Sequence, residues 1–198
     1  YERRKKEEPP PLPFSLSALQ VLAGKRYGYE PQQVLDTAQK LYEEKLTTYP
    51  RSDAEYLPVS QHKDAAKILG NLAALEGSEL ASWAQGADAA QKSRAWNDAK
   101  ISAHHAIIPT TVPVNLARLS ETERNIYGLI ARAYIAQFRP NYVYDQTKVE
   151  LTYHGETFSA SGRTERAAGW RAMYRMGKSE SEDAEKEDEE SAVLPPMK

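Results

Sequence analysis

The sequence predicts an α+β fold that is mainly helical, and two patterns along the chain indicate it. Up to about residue 139, apolar residues recur at the three- and four-residue spacings of amphipathic helices. From residue 142 to about residue 170 they alternate instead, which is typical of strands. Helices followed by strands favour a helical domain joined to part of a β domain. With 198 residues, 40% of them hydrophobic, the chain is long enough to bury a core.

Two helices are predicted near the start of the chain. Residues 9–13 form a proline cluster, which favours extended backbone, and Ser15 or Ser17 then caps the first helix. A pair of glycines ends that helix. The second helix has Pro31 in its first turn and ends near Lys45. Its predicted buried face consists of Val34, Leu35, Ala38, Leu41 and Tyr42.

The later helices are indicated mainly by their ends. Ser60 is predicted to cap a third helix, and Gly77 lies just past its end. Residues 78–100 are rich in alanine and polar residues, and we interpret them as short helix and loop. Ser120 and Glu123 form an S-x-x-E capping box. A long apolar helix follows this box and stops before the next proline.

The predicted β segment runs from Tyr142 to about Trp170. Residues 143–153 alternate between apolar and polar, and the alternation continues over residues 157–161. His154 and Gly155 between them suit a two-residue hairpin turn. The sequence therefore predicts at least one antiparallel hairpin.

Charge is distributed unevenly along the chain, and charged runs define the predicted segments at its two ends. Residues 179–190 hold eight acidic residues and one lysine, a net charge of −7, so the remainder of this chain of net charge −2 carries +5. Such a run repels itself, and we expect residues 179–198 to form an acidic flexible loop or tail. Residues 1–8 are a charged segment that we expect to be a cut end. The folded part is mildly basic, which permits nucleic-acid binding.

Composition excludes several kinds of site. The chain has no cysteine, which excludes disulfides, cysteine-ligated metals and a thiol nucleophile. No run of 18 apolar residues predicts a membrane span, and no secretory signal is present.

Two short stretches carry residues suited to phosphoryl transfer. In residues 46–53, Arg51 follows Tyr49 by two positions, so on an extended strand both side chains point to the same face. Tyrosine hydroxyls ordinarily ionise with a pKa of about 10, so a phenolate nucleophile at neutral pH needs a nearby cation. A guanidinium also binds phosphate oxygens. In residues 103–110, His104 and Thr110 are candidate phosphate contacts, while Asp53 could orient Arg51 or cap a turn. Each residue also has an ordinary structural explanation, such as packing or solvation.

These two stretches resemble a known family. The string Tyr-Pro-Arg-Ser-Asp at residues 49–53 resembles the nucleophile motif of type IA DNA topoisomerases, in particular their topoisomerase III branch. The string Ala-His-His-Ala-Ile-Ile-Pro-Thr at residues 103–110 is similar to the histidine motif of that branch. Flanking matches lie at residues 11–20, 38–43 and 144–147, and the resemblance covers roughly residues 9–175.

The resemblance implies a reaction and roles for individual residues. Tyr49 would attack a phosphodiester in single-stranded DNA and form a 5′-phosphotyrosine intermediate, allowing strand passage and religation without ATP. Arg51 would stabilise the phenolate and the transition-state phosphate. His104 would contact the scissile or an adjacent phosphate. DNA contacts are also expected from Ser52, Asp53 and Thr110.

The resemblance also implies a division into domains. Residues 9–139 would be the helical domain that carries the nucleophile, and residues 140–178 would be strands of the adjoining arch domain. The Toprim domain, which binds Mg²⁺ in this family, has no counterpart in the sequence, so we expect this chain to bind no metal and to be inactive alone. Expected partners are single-stranded DNA and the other domains of the same polypeptide. We expect a monomer in the bacterial cytoplasm, associated with the nucleoid or a plasmid.

Two other functions remain open from the residues themselves. A non-catalytic helical module could bind single-stranded DNA, with Tyr49 stacking on a base or packing. A relaxase or tyrosine recombinase would use a different tyrosine nucleophile. Relaxases need histidines spaced to chelate a metal, whereas His104 and His105 are adjacent. Formation of a covalent DNA adduct separates the first alternative from a topoisomerase.

Overall fold

A computed structural model describes residues 1–101 and 103–175, which divide into two compact units. The helical unit is Pro11–Arg139, and the sheet unit combines Tyr1–Pro10 with the chain from Pro140 onward. The acidic tail predicted at 179–198 lies outside the described residues. No helix within the described part of the chain is both long and apolar enough to cross a membrane.

The helical unit contains five α-helices joined by loops and short 3₁₀ turns. The helices are α1 (Leu16–Tyr27), α2 (Pro31–Glu43), α3 (Ala65–Ala73), α4 (Glu79–Gln85) and α5 (Glu121–Ala136). The 3₁₀ turns are Val59–Asp64, Asp98–Lys100 and Leu116–Arg118. The third helix thus starts later than predicted, because a 3₁₀ turn occupies the residues after Ser60.

Helix α5 forms the centre of the helical core. It is buried on nearly all sides, and Ile126, Ile130 and Tyr134 are fully enclosed. Tyr127 and Tyr134 also lie in this core, and burial raises the pKa of their hydroxyls far above the usual value. Tyr42 was predicted on the buried face of the second helix, and this was wrong, since it is 40% exposed at the end of α2.

Polar side chains fix the ends of the helices. The Ser15 hydroxyl accepts a hydrogen bond from the Ala18 amide, which confirms Ser15 as the N-cap of α1. The predicted capping box of α5 is also present, since Ser120 accepts from the Glu123 amide and Glu123 accepts from the Ser120 amide. Glu123 additionally forms an ion pair with Lys40, which ties α2 to α5.

Up to residue 175, the described part of the sheet unit contains three antiparallel strands and one short helix. The strands are β1 (Glu2–Glu8), β2 (Tyr142–Tyr153) and β3 (Glu156–Ala167), in the spatial order β1-β2-β3, and α6 is Ala172–Arg175. His154 and Gly155 have positive φ values of 49° and 84°, and they form the predicted two-residue turn between β2 and β3. A 3₁₀ turn, Gly169–Arg171, precedes α6.

Strand β1 is a correction to the sequence analysis, which gave residues 1–8 no regular structure. Its seven residues are all charged, so no alternation marks it as a strand. It forms because β2 provides a full antiparallel partner, with Glu2 opposite Lys148 and Glu8 opposite Tyr142. Asp145 on β2, almost fully buried, binds Arg3 of β1 and Arg166 of β3. The Arg166 and Arg3 guanidinium groups hold the pKa of Asp145 below its usual range.

Replacing Glu123 with Gln is expected to lower the free energy of unfolding by about 1 kcal/mol at pH 7. The substitution removes the ion pair with Lys40 and weakens the capping box. Hydrogen bonding from Lys40, and then from the Ser120 amide, lowers the pKa of Glu123 in the folded chain. The stabilisation is therefore complete at neutral pH and is lost as the pH falls through that lowered pKa.

Urea denaturation of both proteins between pH 7 and pH 3 measures this difference. Glu121→Gln is the matched control, because Glu121 lies in the same helical turn but is exposed. A loss that is independent of pH, or an equal loss in the control, would contradict the role assigned to Glu123.

Candidate functional site

The site begins at the tight turn that ends α2. The Lys45 amide donates to the Tyr42 carbonyl at 2.8 Å, and the Leu46 amide donates to the Leu41 carbonyl at 2.9 Å. This is a Schellman motif, and its usual left-handed residue is Lys45, with φ of 61°. Leu41 and Leu46 are both buried, as the apolar contact of that motif requires. The chain therefore reverses sharply and enters residues 46–53.

The tyrosine stretch pairs with the histidine stretch through backbone hydrogen bonds. Thr47 and Pro109 form an isolated antiparallel bridge. The Thr48 amide donates to the Ile108 carbonyl at 2.9 Å, and the Thr110 amide donates to the Leu46 carbonyl at 3.0 Å. The two motifs recognised in the sequence are thus neighbours in space.

The Thr48 side chain strengthens this pairing. Its hydroxyl donates to the Ala106 carbonyl at 3.2 Å and accepts from the Ile108 amide at 3.0 Å. A single side chain therefore binds two backbone groups of the facing segment. This arrangement fixes the register of residues 46–49 against residues 106–109.

The same stretches are also held from their other sides. The Leu16 amide donates to the Ser52 carbonyl at 2.8 Å, and the Ile107 amide donates to the Phe14 carbonyl at 2.8 Å. The Ala106 amide donates to the Tyr56 carbonyl at 2.9 Å. The site therefore lies on a framework of four chain segments within the helical unit.

Burial alternates along residues 49–53. Tyr49, Arg51 and Asp53 are exposed, whereas Pro50 and Ser52 are buried. Tyr49 and Arg51 are therefore both exposed to solvent, on a segment whose backbone bends at Pro50 and Arg51.

The Tyr49 ring lies between two other rings. The ring centroids of Tyr49 and His104 are 4.6 Å apart, with an angle of 32° between the planes. Those of Tyr49 and Tyr42 are 5.8 Å apart, with an angle of 85°, which is an edge-to-face contact. Tyr49 nevertheless remains 36% exposed. The structure thus brings His104 to Tyr49 and leaves the tyrosine accessible to a ligand.

Arg51 and Asp53 are the other exposed residues of this segment. Both are exposed, and within residues 1–101 and 103–175 neither has a hydrogen bond or ion pair. The Arg51 guanidinium is therefore available to an incoming phosphate. Asp53 does not orient Arg51 by direct contact.

The hydroxyls of Ser52 and Thr110 form hydrogen bonds within the helical unit, and their contact with DNA stays a prediction. Ser52 is buried, and its hydroxyl accepts from the Ala54 amide at 3.1 Å, which stabilises a local turn. The Thr110 hydroxyl donates to the Lys45 carbonyl and accepts from the Val112 amide. Both hydroxyls therefore shape the framework.

One neighbour of the histidine motif, Gln61, was not singled out by the sequence. Gln61 Nε2 donates to His105 Nε2 at 2.9 Å, while His105 Nδ1 donates to the Ala106 carbonyl at 2.8 Å. His105 is half-buried, so it anchors the loop that presents the exposed His104. Sequence spacing gives no signal for Gln61, because it lies 44 residues from His105.

A lysine and tyrosine pair adjoins the histidine loop. Lys100 Nζ lies 3.2 Å from the Tyr56 hydroxyl and 4.9 Å from the centroid of its ring. The Tyr56 carbonyl accepts a hydrogen bond from the Ala106 amide, so the Lys100 ammonium group is held close to the histidine segment. The pair adds positive charge to this side of the helical unit.

Comparison with known proteins decides the family. The sequence model described as DNA topoisomerase matches residues 1–198. The chain belongs to the DNA topoisomerase family. The resemblance to its type IA members, and to their topoisomerase III branch, is confirmed by the relatives described next.

Curated relatives of this topoisomerase chain are named DNA topoisomerase 3. Identity is 43% over 189 residues with the protein of Haemophilus influenzae, covering 87% of the chain and 26% of that relative. Identity is 40% over 194 residues with the protein of Bacillus subtilis, covering 94% of the chain and 25% of that relative. The chain therefore spans about a quarter of the length of these relatives.

A solved structure shows the same fold. Full-length topoisomerase I from Thermotoga maritima matches with a TM-score of 0.63 and 19% identity, covering 100% of the chain and 30% of that protein. The predicted α+β class is confirmed. Across residues 1–101 and 103–175 of the topoisomerase chain, no three His, Asp or Glu side chains cluster to hold a metal ion. The described site therefore holds an exposed tyrosine hydroxyl and a guanidinium, without a cluster of metal ligands.

Thr48→Val is expected to lower the free energy of unfolding by about 1–3 kcal/mol, because it leaves the Ala106 carbonyl and the Ile108 amide with fewer partners in a half-buried pairing. Thermal or urea denaturation measures the change. Thr37→Val is the control, since its hydroxyl bonds the Gln33 carbonyl on an exposed helical surface. The control should stay within about 0.5 kcal/mol of the parent chain. Equal effects of the two substitutions would show that Thr48 does not join the motifs.

Proposed function

We propose that this chain supplies the nucleophile side of the active site of a longer, ATP-independent type IA DNA topoisomerase. One observation carries the proposal: Tyr49 is exposed and in ring contact with His104, two residues before an exposed Arg51 that has no hydrogen bond or ion pair within residues 1–101 and 103–175. Tyr49 thus differs from Tyr127 and Tyr134, which are enclosed in the core. The family membership supports DNA as the substrate.

The proposed reaction uses the Tyr49 hydroxyl in both DNA cleavage and religation. Its oxygen attacks a phosphorus of single-stranded DNA, the phenol proton is released, and the bond from phosphorus to the 3′ oxygen breaks. The 3′ oxygen takes up a proton, and the 5′ phosphate remains on Tyr49. In religation the 3′ hydroxyl attacks the phosphotyrosine and restores the phenol. Because one phosphodiester replaces another, no ATP is required.

The other exposed residues of the site have electrostatic roles in this proposal. Arg51 stabilises the phenolate and the extra negative charge on the phosphate in the transition state. His104 donates a hydrogen bond to the scissile or a neighbouring phosphate. Asp53 borders the DNA without binding its phosphate directly, since both carry negative charge.

We further propose that the remainder of the active site comes from other parts of the same polypeptide. A Toprim domain would bind Mg²⁺, and other domains would guide the single strand. The described residues offer no metal cluster, so no step above is assigned to a metal held by this chain. The protein would act as a monomer in the cytoplasm, on nucleoid or plasmid DNA.

Tyr49→Phe in the longer protein is expected to abolish the covalent adduct with single-stranded DNA, because the attacking oxygen is missing. Denaturing electrophoresis of protein incubated with a labelled oligonucleotide measures the adduct. Tyr153→Phe is the matched control, because Tyr153 is an exposed tyrosine on strand β2. An adduct that persists in the Tyr49 variant would disprove the assignment.

Arg51→Lys is expected to slow adduct formation by about 10²-fold or more, because an ammonium keeps the charge but not the two-point contact with phosphate. Single-turnover rates at saturating oligonucleotide measure the loss. If the rate is unchanged while DNA affinity falls, Arg51 acts in binding alone.

The 198-residue chain alone is expected to leave supercoiled plasmid DNA unrelaxed in the presence of Mg²⁺, because it lacks a metal centre among its described residues. Agarose electrophoresis after incubation with the plasmid measures relaxation. Relaxation that Tyr49→Phe removes would show that the chain holds a complete site.

A further inference from the structure

The position of Tyr42 is unexpected for its place on helix α2. Its neighbours on the apolar face, including Val34, Ala38 and Leu41, are fully buried, whereas Tyr42 is 40% exposed. Its ring meets the Tyr49 ring edge to face. Tyr42 therefore faces the candidate site and contributes little to the core.

We infer that Tyr42 is a positioning residue that orients the Tyr49 ring for attack. This inference rests on the proposed function of Tyr49. An exposed tyrosine on extended backbone can turn about two side-chain bonds, so its hydroxyl has no fixed direction unless other groups constrain the ring. The Tyr42 edge and the His104 ring constrain the Tyr49 ring through two separate contacts.

These contacts leave the reacting atom free. In the described parts of the chain, the Tyr49 hydroxyl has no hydrogen-bond partner, and the ring contacts of Tyr49 are those with Tyr42 and His104. A hydrogen bond to the hydroxyl would orient it but would also compete with the phosphate. Ring packing fixes the direction of the oxygen without using its lone pairs or its proton.

Backbone hydrogen bonds hold Tyr42 in place. The Tyr42 carbonyl accepts the Lys45 amide in the Schellman turn, so Tyr42 belongs to the same turn that directs the chain towards Tyr49. The Leu46 amide, bonded to the Leu41 carbonyl, continues directly into the paired segment. The separation of the two rings is therefore set by a short, hydrogen-bonded connection.

Replacing Tyr42 with Leu should slow adduct formation in the longer protein by about two- to tenfold at saturating single-stranded DNA, which is the fold-change that one edge-to-face contact supports. Affinity for the oligonucleotide should remain unchanged. Tyr42→Phe keeps the ring and should retain the parent rate. Tyr42→Met repeats the test with another good helix former, should the Leu variant fold poorly.

The experiment measures single-turnover adduct formation and oligonucleotide affinity for each variant, with Tyr153→Leu as the exposed-tyrosine control. A slow Leu or Met variant, with normal affinity and a normal Phe variant, supports positioning. Parent rates in the Leu and Met variants overturn it. A loss confined to affinity assigns Tyr42 to stacking on DNA bases and also overturns it, as does a Phe variant as slow as Leu.

Tyr49→Phe, measured in parallel, separates this inference from the proposal on which it rests. If Tyr49→Phe forms no adduct and Tyr42→Leu reacts at the parent rate, only the positioning role fails. If Tyr49→Phe still forms the adduct, the nucleophile is elsewhere and both ideas fail.

Discussion

The pairing of residues 46–49 with residues 106–110 is the constraint on which the candidate site depends. Thr48 bonds Ala106 across a sequence separation of 58 residues, and Thr110 bonds Lys45 across 65. Neither motif forms the Tyr49–His104 contact by itself, because the two residues lie on different segments. The site exists only when these hydrogen bonds fix both segments in one register. Its framework is therefore short extended backbone, although the unit that contains it is mainly helical.

Helix packing supplies the apolar core that this small framework lacks. Isolated strand pairs of a few residues are not stable in water, so the pairing needs a core beneath it. Helix α5 provides that core, and the ion pair of Lys40 with Glu123 attaches α2 to its first turn. Because α2 ends in the Schellman turn, the position of this helix determines where the chain enters residues 46–53. The location of Tyr49 thus follows from helix packing through one hydrogen-bonded turn.

Features that depend on residues close together in the sequence could be predicted from the sequence alone. The capping box of Ser120 and Glu123 and the hairpin turn at His154 and Gly155 each follow from residue types a few positions apart. These are interactions that one segment can form alone, so the sequence of that segment is enough.

Features that depend on distant partners could not be predicted in this way. Strand β1 is a run of charged residues that becomes a strand only beside β2. Tyr42 fits the apolar spacing of α2, yet that spacing does not reveal where the core ends along the helix axis. Each miss is a case in which tertiary contacts override a local pattern.

The charges of the exposed residues explain why one chain segment is insufficient for the proposed chemistry. A phenolate beside a phosphodiester brings two negative charges together, and Arg51 supplies one positive charge against them, with the exposed Asp53 two residues further along the chain. Lys100 adds positive charge near the histidine segment, the described residues hold no metal cluster, and under the proposed function the remaining positive charge comes from other domains. Under the proposed function, a site divided in this way can open without breaking the protein–DNA bond. The covalent link stays with Tyr49, while the groups that complete the charge balance move apart from it.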